Sequence, residues 1–203
     1  MDRINTIIFD IGNVLVKFRW AEYLKDCGYS KELAERVANA TVKNKFWKEW
    51  DRGGMEDSAL IDQFCKLDVS IEMEIKKLFE DFDQLIKEYD YSAELIQKLK
   101  QEGYKVYLLS NYSKNHFELS KNKFQFIKHV DGGVISYEIK HIKPEPEIYE
   151  ALIKKYNINP SEAVFLDDLS ENLEGAKQFG LHTIQVKSYD QMLMDLRKIG
   201  VNI

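Results

Sequence analysis

Ile4-Asn5-Thr6-Ile7-Ile8-Phe9-Asp10-Ile11-Gly12-Asn13-Val14-Leu15-Val16 is an apolar run interrupted by one carboxylate and a Gly-Asn pair. Ile4 to Phe9 is short, β-branched and without polar alternation, which predicts a strand buried on both faces of a parallel sheet. Gly12-Asn13 is a turn signal. Asp10 therefore stands at the carboxyl end of a central strand, where open α/β sheets place their ligands. An unpaired buried charge is costly, so a carboxylate at that position needs a partner.

Beyond this stretch, residues 17–88 leave the α/β pattern. Their apolar spacing predicts helices at about 20–27, 30–42, 43–52, 55–67 and 70–88, with no convincing strand. Ser30 is the expected cap of the second helix and Ser70 of the last. Trp47 and Trp50 lie three apart and share a helix face, with Phe46, Lys45, Lys48 and Arg52 around them. Two roles are open to this cluster. It packs the core of the helical insertion, or one Trp, with Lys45 or Arg52, faces a substrate cleft.

From about residue 90 strands and helices alternate again. Ser92 is expected to cap a helix over 93–102 that ends at Gly103. A strand over 104–109 ends at Ser110-Asn111. Residues 127–137 hold a short strand and a Gly-Gly turn. Lys143-Pro144 precedes a helix over 145–157, and a strand over 163–166 ends at Asp167-Asp168. A helix over 169–179, a strand over 182–186 and a helix over 188–199 complete the chain. Five strands with intervening helices imply right-handed crossovers and an α/β, Rossmann-like, doubly wound parallel sheet. The expected division is a core of residues 1–16 and 90–203 with an all-helical insertion over 17–89.

Composition excludes several classes. The 203 residues carry 29 Lys and Arg against 34 Asp and Glu, for a net charge of −5. The cations are scattered, which argues against a nucleic-acid stripe or a polybasic membrane patch. No apolar run reaches the length of about 18 residues that a membrane span needs. Met1-Asp2-Arg3 followed by a strand lacks the features of a signal peptide. Cys27 and Cys65 make neither a metal spacing nor a disulfide framework, and His116, His129, His141 and His182 make no ligand spacing. A cytoplasmic protein with reduced cysteines, a monomer or weak dimer, is expected.

Four stretches, taken in order, carry a resemblance: Phe9-Asp10-Ile11-Gly12-Asn13-Val14, Leu108-Leu109-Ser110-Asn111, Ile142-Lys143-Pro144, and Val164-Phe165-Leu166-Asp167-Asp168 with Asn172 beyond it. Together they resemble the motifs of the haloacid dehalogenase (HAD) superfamily, and the resemblance covers the core segments. Within it, the first motif is similar to the Asp-x-Gly-Asn-Val subgroup that includes bacterial glucose-1-phosphatases. The resemblance implies a helical cap over the active site and an Mg²⁺-dependent phosphatase acting on a small phosphate ester. It implies Asp10 as nucleophile, Ser110 as phosphate-binding hydroxyl and Lys143 as charge stabiliser. Asp168, Asp10 and the Gly12 carbonyl would hold the metal. Those residue types suit the chemistry. A carboxylate can attack phosphorus and split one hard step into two. Oxygen ligands suit Mg²⁺. Ser110, the Asn111 amide and Lys143 can bind non-bridging oxygens, and Asp167 can orient Lys143 or a metal-bound water.

One position departs from the pattern. The family usually has a second Asp two residues after the nucleophile, serving as general acid and base, and Gly12 stands there. Such assistance is typically worth about 10²–10⁴-fold. Either the substrate has a good leaving group, such as an anomeric sugar oxygen, or another group or water supplies the proton. Two other readings stand beside the phosphatase: a catalytically weak HAD-like protein that binds a phosphorylated ligand or a partner, and a metal-free haloacid dehalogenase.

Overall fold

The computed structural model describes residues 3–203; Met1 and Asp2, the first two of the expected core segment 1–16, lie outside the described residues. In chain order the elements are β1 (Thr6–Phe9), β2 (Val16–Phe18), α1 (Trp20–Asp26), α2 (Lys31–Ala40), α3 (Phe46–Arg52), α4 (Asp57–Leu67), α5 (Glu72–Glu80), β3 (Ile86–Glu88), α6 (Ser92–Gln101), β4 (Lys105–Ser110), α7 (Lys114–Lys123), β5 (Gly132–Ile135), α8 (Ser136–Ile139), α9 (Pro146–Tyr156), β6 (Ala163–Asp167), α10 (Ser170–Lys177), β7 (His182–Gln185) and α11 (Tyr189–Lys198).

Five strands form one parallel sheet in the order β5-β4-β1-β6-β7. β1 is central, as its unbroken apolar run predicts, and all four of its residues are buried. Its side chains alternate between two cores. Ile7 and Phe9 join Leu95 and Leu99 of α6 and Leu196 of α11. Ile8 joins Ile148 and Leu152 of α9 and Leu173 of α10 on the opposite face. The sheet is thus covered on both sides by helices, and α1 to α5 form a helical cap inserted between β1 and β4.

Several local expectations need correction. The helix predicted over 70–88 ends at Glu80, and after a 3-10 turn at Phe82–Gln84 the chain forms β3. β3 pairs antiparallel with β2, Val16 against Glu88 and Phe18 against Ile86. Three-residue strands are too short to show a period of two, so the helical spacing before them masked this ribbon. Ser70 caps nothing; its hydroxyl joins Arg36 and Asp68. Ser92 is the first helical residue rather than the cap, and its hydroxyl donates to the Leu15 carbonyl at 2.7 Å. Ser30 does cap α2, accepting from the Leu33 N–H at 3.2 Å.

The Gly132-Gly133 pair is the start of β5, not a turn. A Cβ on Gly133 would lie 2.6 Å from the Leu108 carbonyl oxygen and 2.8 Å from Leu108 Cβ. The glycine is there because β4 passes too close for any side chain. Gly133→Ala is therefore expected to cost about 1–3 kcal/mol, the usual range for overpacking a close contact, and a thermal melt reads it directly.

Candidate active site

Asp10, Ser110 and Asp167 lie at the carboxyl ends of β1, β4 and β6, and adjacent parallel pairing brings those ends together. Lys143 comes from the loop before α9 and inserts between them. Its side chain is 1% exposed, and its ammonium sits 2.8 Å from Asp10 Oδ1 and 2.6 Å from Asp167 Oδ2. The Ser110 hydroxyl donates to the same Asp10 oxygen at 2.7 Å. Asp10 Oδ2 accepts no hydrogen bond among the described residues.

Asn111 holds Lys143 from the backbone side. Its Oδ1 accepts from the Lys143 N–H at 2.7 Å, and its Nδ2 donates to the Lys143 carbonyl at 3.1 Å. Asn111 thus clamps the Lys143 backbone with its oxygen and one amide N–H, and the second N–H of that amide is not used by these bonds. Asp167 is fully buried and accepts from Asn172 Nδ2 at 3.0 Å and from the Leu169 N–H at 2.8 Å besides Lys143. Its neighbour Asp168 accepts at Oδ2 from Asn13 Nδ2 at 3.0 Å.

Asn13 carries more than a turn. At φ 53° it occupies the left-handed region that Asn tolerates. Its Oδ1 accepts from the Phe18 N–H at 3.2 Å, so it links Asp168 to the start of the cap ribbon. Gly12 borders the cavity, and a Cβ built on it meets nothing within 4 Å. The space that an acidic side chain would fill is open.

The electrostatics are those of a cation site. Carboxylate oxygens of Asp10, Asp167 and Asp168 all lie within 4.8 Å of one another. Three carboxylates against one ammonium leave two formal negative charges, the charge of a divalent ion. Burial raises the Asp10 carboxyl to about 6, against the opposing pull of Lys143. Burial also raises Asp168. Burial alone would lower the Lys143 ammonium, yet the charges of Asp10 and Asp167 hold it above its ordinary value. An all-oxygen donor set with surplus negative charge fits a hard divalent cation such as Mg²⁺.

A cavity of about 600 Å³ opens above these residues, and the cap supplies much of its lining. Trp47 borders it, stacked on Phe79 and Phe82, whereas Trp50 is 2% exposed with its indole N–H donated to Asp57 at 2.9 Å. The two tryptophans therefore divide the roles the sequence left open: one packs, the other borders the cavity. Lys45 and Lys48 also border it. Arg52 does not; it makes two 2.7 Å bonds to Glu145 and ties the end of α3 to the core. The residue that sequence reading missed is Asp51. It lies four positions after Trp47, on the same helix face, and borders the cavity together with Asp10 and Lys143. That spacing was the available signal. Among the described residues no helix is long and apolar enough to cross a membrane.

The chain belongs to the haloacid dehalogenase-like hydrolase family, whose model matches residues 4–180. It is similar to pyrophosphatase PpaX of Bacillus cereus, at 25% identity over 91% of this chain and 83% of that protein. It is also similar, at 25% identity and a TM-score of 0.70, to a HAD family enzyme of Bacteroides thetaiotaomicron solved in complex with magnesium and inorganic phosphate. That match covers 92% of this chain and 96% of the other. A HAD phosphatase from Thermococcus onnurineus shares the fold at 21% identity and a TM-score of 0.67, over 98% of this chain and 99% of its own.

Proposed function

We propose that this enzyme is an Mg²⁺-dependent phosphatase that hydrolyses a small phosphomonoester through an aspartyl-phosphate on Asp10. The observation that carries this reading is the contact of Asp10 with both Ser110 and Lys143 at the strand ends, beside the acid pair Asp167-Asp168. An Asp10 carboxylate oxygen attacks phosphorus, and the bond to the leaving oxygen breaks. Lys143, held by Asp167, offsets the charge brought together by that attack. Ser110 moves its hydroxyl proton from Asp10 to a phosphoryl oxygen. Asp10, Asp168 and the Gly12 carbonyl would hold the metal, which when bound supplies further positive charge to the phosphoryl oxygens. The cap, taken as residues 17–89 over a core of 1–16 and 90–203, selects the rest of the substrate through its cavity lining.

A sugar phosphate such as glucose 1-phosphate suits the Asp-x-Gly-Asn-Val stretch. A phosphoanhydride is the second reading, favoured by the name of the PpaX relatives and by Lys45 and Lys48 beside the cavity, cations able to meet a second phosphate. Phosphate release from p-nitrophenyl phosphate, glucose 1-phosphate, glucose 6-phosphate, glycerol phosphate and inorganic pyrophosphate tests both. Release is expected with Mg²⁺, lost in EDTA and restored by added metal. Full activity in chelator would remove the metal from the mechanism and with it this reading. Pyrophosphate turned over far faster than any ester would select the second.

A further inference from the structure

A phosphatase with glycine at position 12 lacks a proton donor for its leaving group, and the cavity holds one acid that nothing else employs. Of the acids in its lining, Asp10 bonds Ser110 and Lys143, Asp168 bonds Asn13, and Glu171 pairs with Lys48 at 3.1 Å. The Asp51 carboxyl has no hydrogen-bond or ion-pair partner among the described residues. Its backbone is nevertheless fixed. The Ser136 hydroxyl donates to the Asp51 carbonyl at 2.5 Å, and the next residue, Arg52, is locked on Glu145.

We infer, resting on the phosphatase reading above, that Asp51 reaches from the cap to serve as the general acid and base that position 12 cannot provide. In the first step Asp10 bonds to phosphorus, the ester P–O bond breaks, and the leaving oxygen takes the Asp51 proton. In the second, the Asp51 carboxylate takes a proton from water as that water attacks the aspartyl-phosphate. The Asp10–phosphorus bond breaks, inorganic phosphate leaves, and both side chains return to their starting states.

The surroundings suit the role. Burial pushes the Asp51 carboxyl up to about 8; the Asp10 charge adds to this and the Lys143 charge opposes it. It is therefore largely protonated near neutrality, as a donor must be. Asp51 lines the same cavity as Asp10, Ser110 and Lys143, which places its carboxyl beside the space where the substrate reacts. A catalytic acid carried by the cap also makes proton transfer conditional on the cap covering the substrate.

The test is leaving-group dependence. Wild type, Asp51→Asn, Asp51→Glu and Asp51→Asn combined with Gly12→Asp are assayed with Mg²⁺ on p-nitrophenyl phosphate, whose phenolate leaves unaided, and on glycerol phosphate, whose alkoxide does not. Asp51→Asn keeps the shape and the neutral charge. It is expected to lower kcat/KM on glycerol phosphate by about 100-fold or more and on p-nitrophenyl phosphate by less than about tenfold. Asp51→Glu restores part of the loss. Gly12→Asp, which has open space for its side chain, restores it in the Asp51→Asn background. Equal losses on both esters, or a wild type that cleaves p-nitrophenyl phosphate but not glycerol phosphate, would overturn the role of Asp51. Hydrolysis of neither by the wild type would overturn the phosphatase reading itself.

Discussion

Asp10→Asn is expected to abolish turnover while making the metal-free protein more stable. The amide keeps the shape of the side chain, and its oxygen still accepts from Ser110 and Lys143, but it cannot attack phosphorus. A fall in kcat of at least about 10⁴-fold follows, because covalent catalysis through this residue is lost altogether. The stability gain follows from linkage. Burial holds the folded Asp10 carboxyl at about 6 instead of its ordinary 3.8. A carboxyl whose proton is held more tightly in the folded state stabilises the fold at low pH, and that contribution is lost as pH rises through about 6. At pH 7.5 the ionised Asp10 therefore costs up to about 3 kcal/mol, and the Asn variant avoids it. Melts between pH 5 and 8 in EDTA should show the wild type losing stability as pH rises and the variant losing less. Mg²⁺ should raise the wild-type Tm and move the variant less. Retained turnover by Asp10→Asn would remove the covalent route.

Lys143→Met acts in the opposite direction on stability. The ammonium lies between two buried carboxylates, at 2.8 Å from Asp10 and 2.6 Å from Asp167. Removing one member of a buried charge network leaves the others uncompensated, which costs about 3–5 kcal/mol. Without the Lys143 charge that now opposes its rise, the Asp10 carboxyl climbs further, and less of it is ionised for attack. Loss of the charge stabiliser adds about 10²–10³-fold in kcat. Activity and Tm should therefore fall together, and the Tm deficit should shrink at acid pH as the stranded Asp10 carboxylate protonates. A variant as stable as wild type would mean that Lys143 does not balance these charges.

The sequence was most legible where strands are buried on both faces. β1, β4 and β6 are mostly apolar runs that lead into Asp10, Ser110 and Asp167, which the sheet then places beside one another. Short-range polar choices were harder to read. Ser70 and Ser92 are good cap residues by type, yet each spends its hydroxyl on a distant partner, Arg36 in one case and the Leu15 carbonyl in the other. No local pattern encodes such contacts. The Gly-Gly pair had the composition of a turn, and only its pairing with Tyr107 and Leu108 of β4 makes it a strand. Asp51 sits beside Arg52 at a helix end, which by composition reads as a solvated turn. Its surroundings exist only once the cap lies on the core.

The β2–β3 ribbon has a consequence for how such a molecule can change. The chain leaves the sheet side through β2 and returns through β3, and these strands pair residue for residue. Further bonds from Arg19 N–H to the Leu85 carbonyl at 2.7 Å and from Tyr89 N–H to the Leu15 carbonyl at 3.1 Å close the two sides of that passage. Everything between them is a loop tied shut at its own base. Lengthening a closed loop adds entropic cost only logarithmically, and it alters neither the order nor the register of the strands outside it. Residues 19 to 85 can thus be traded as a cassette, giving the same strand ends a different roof.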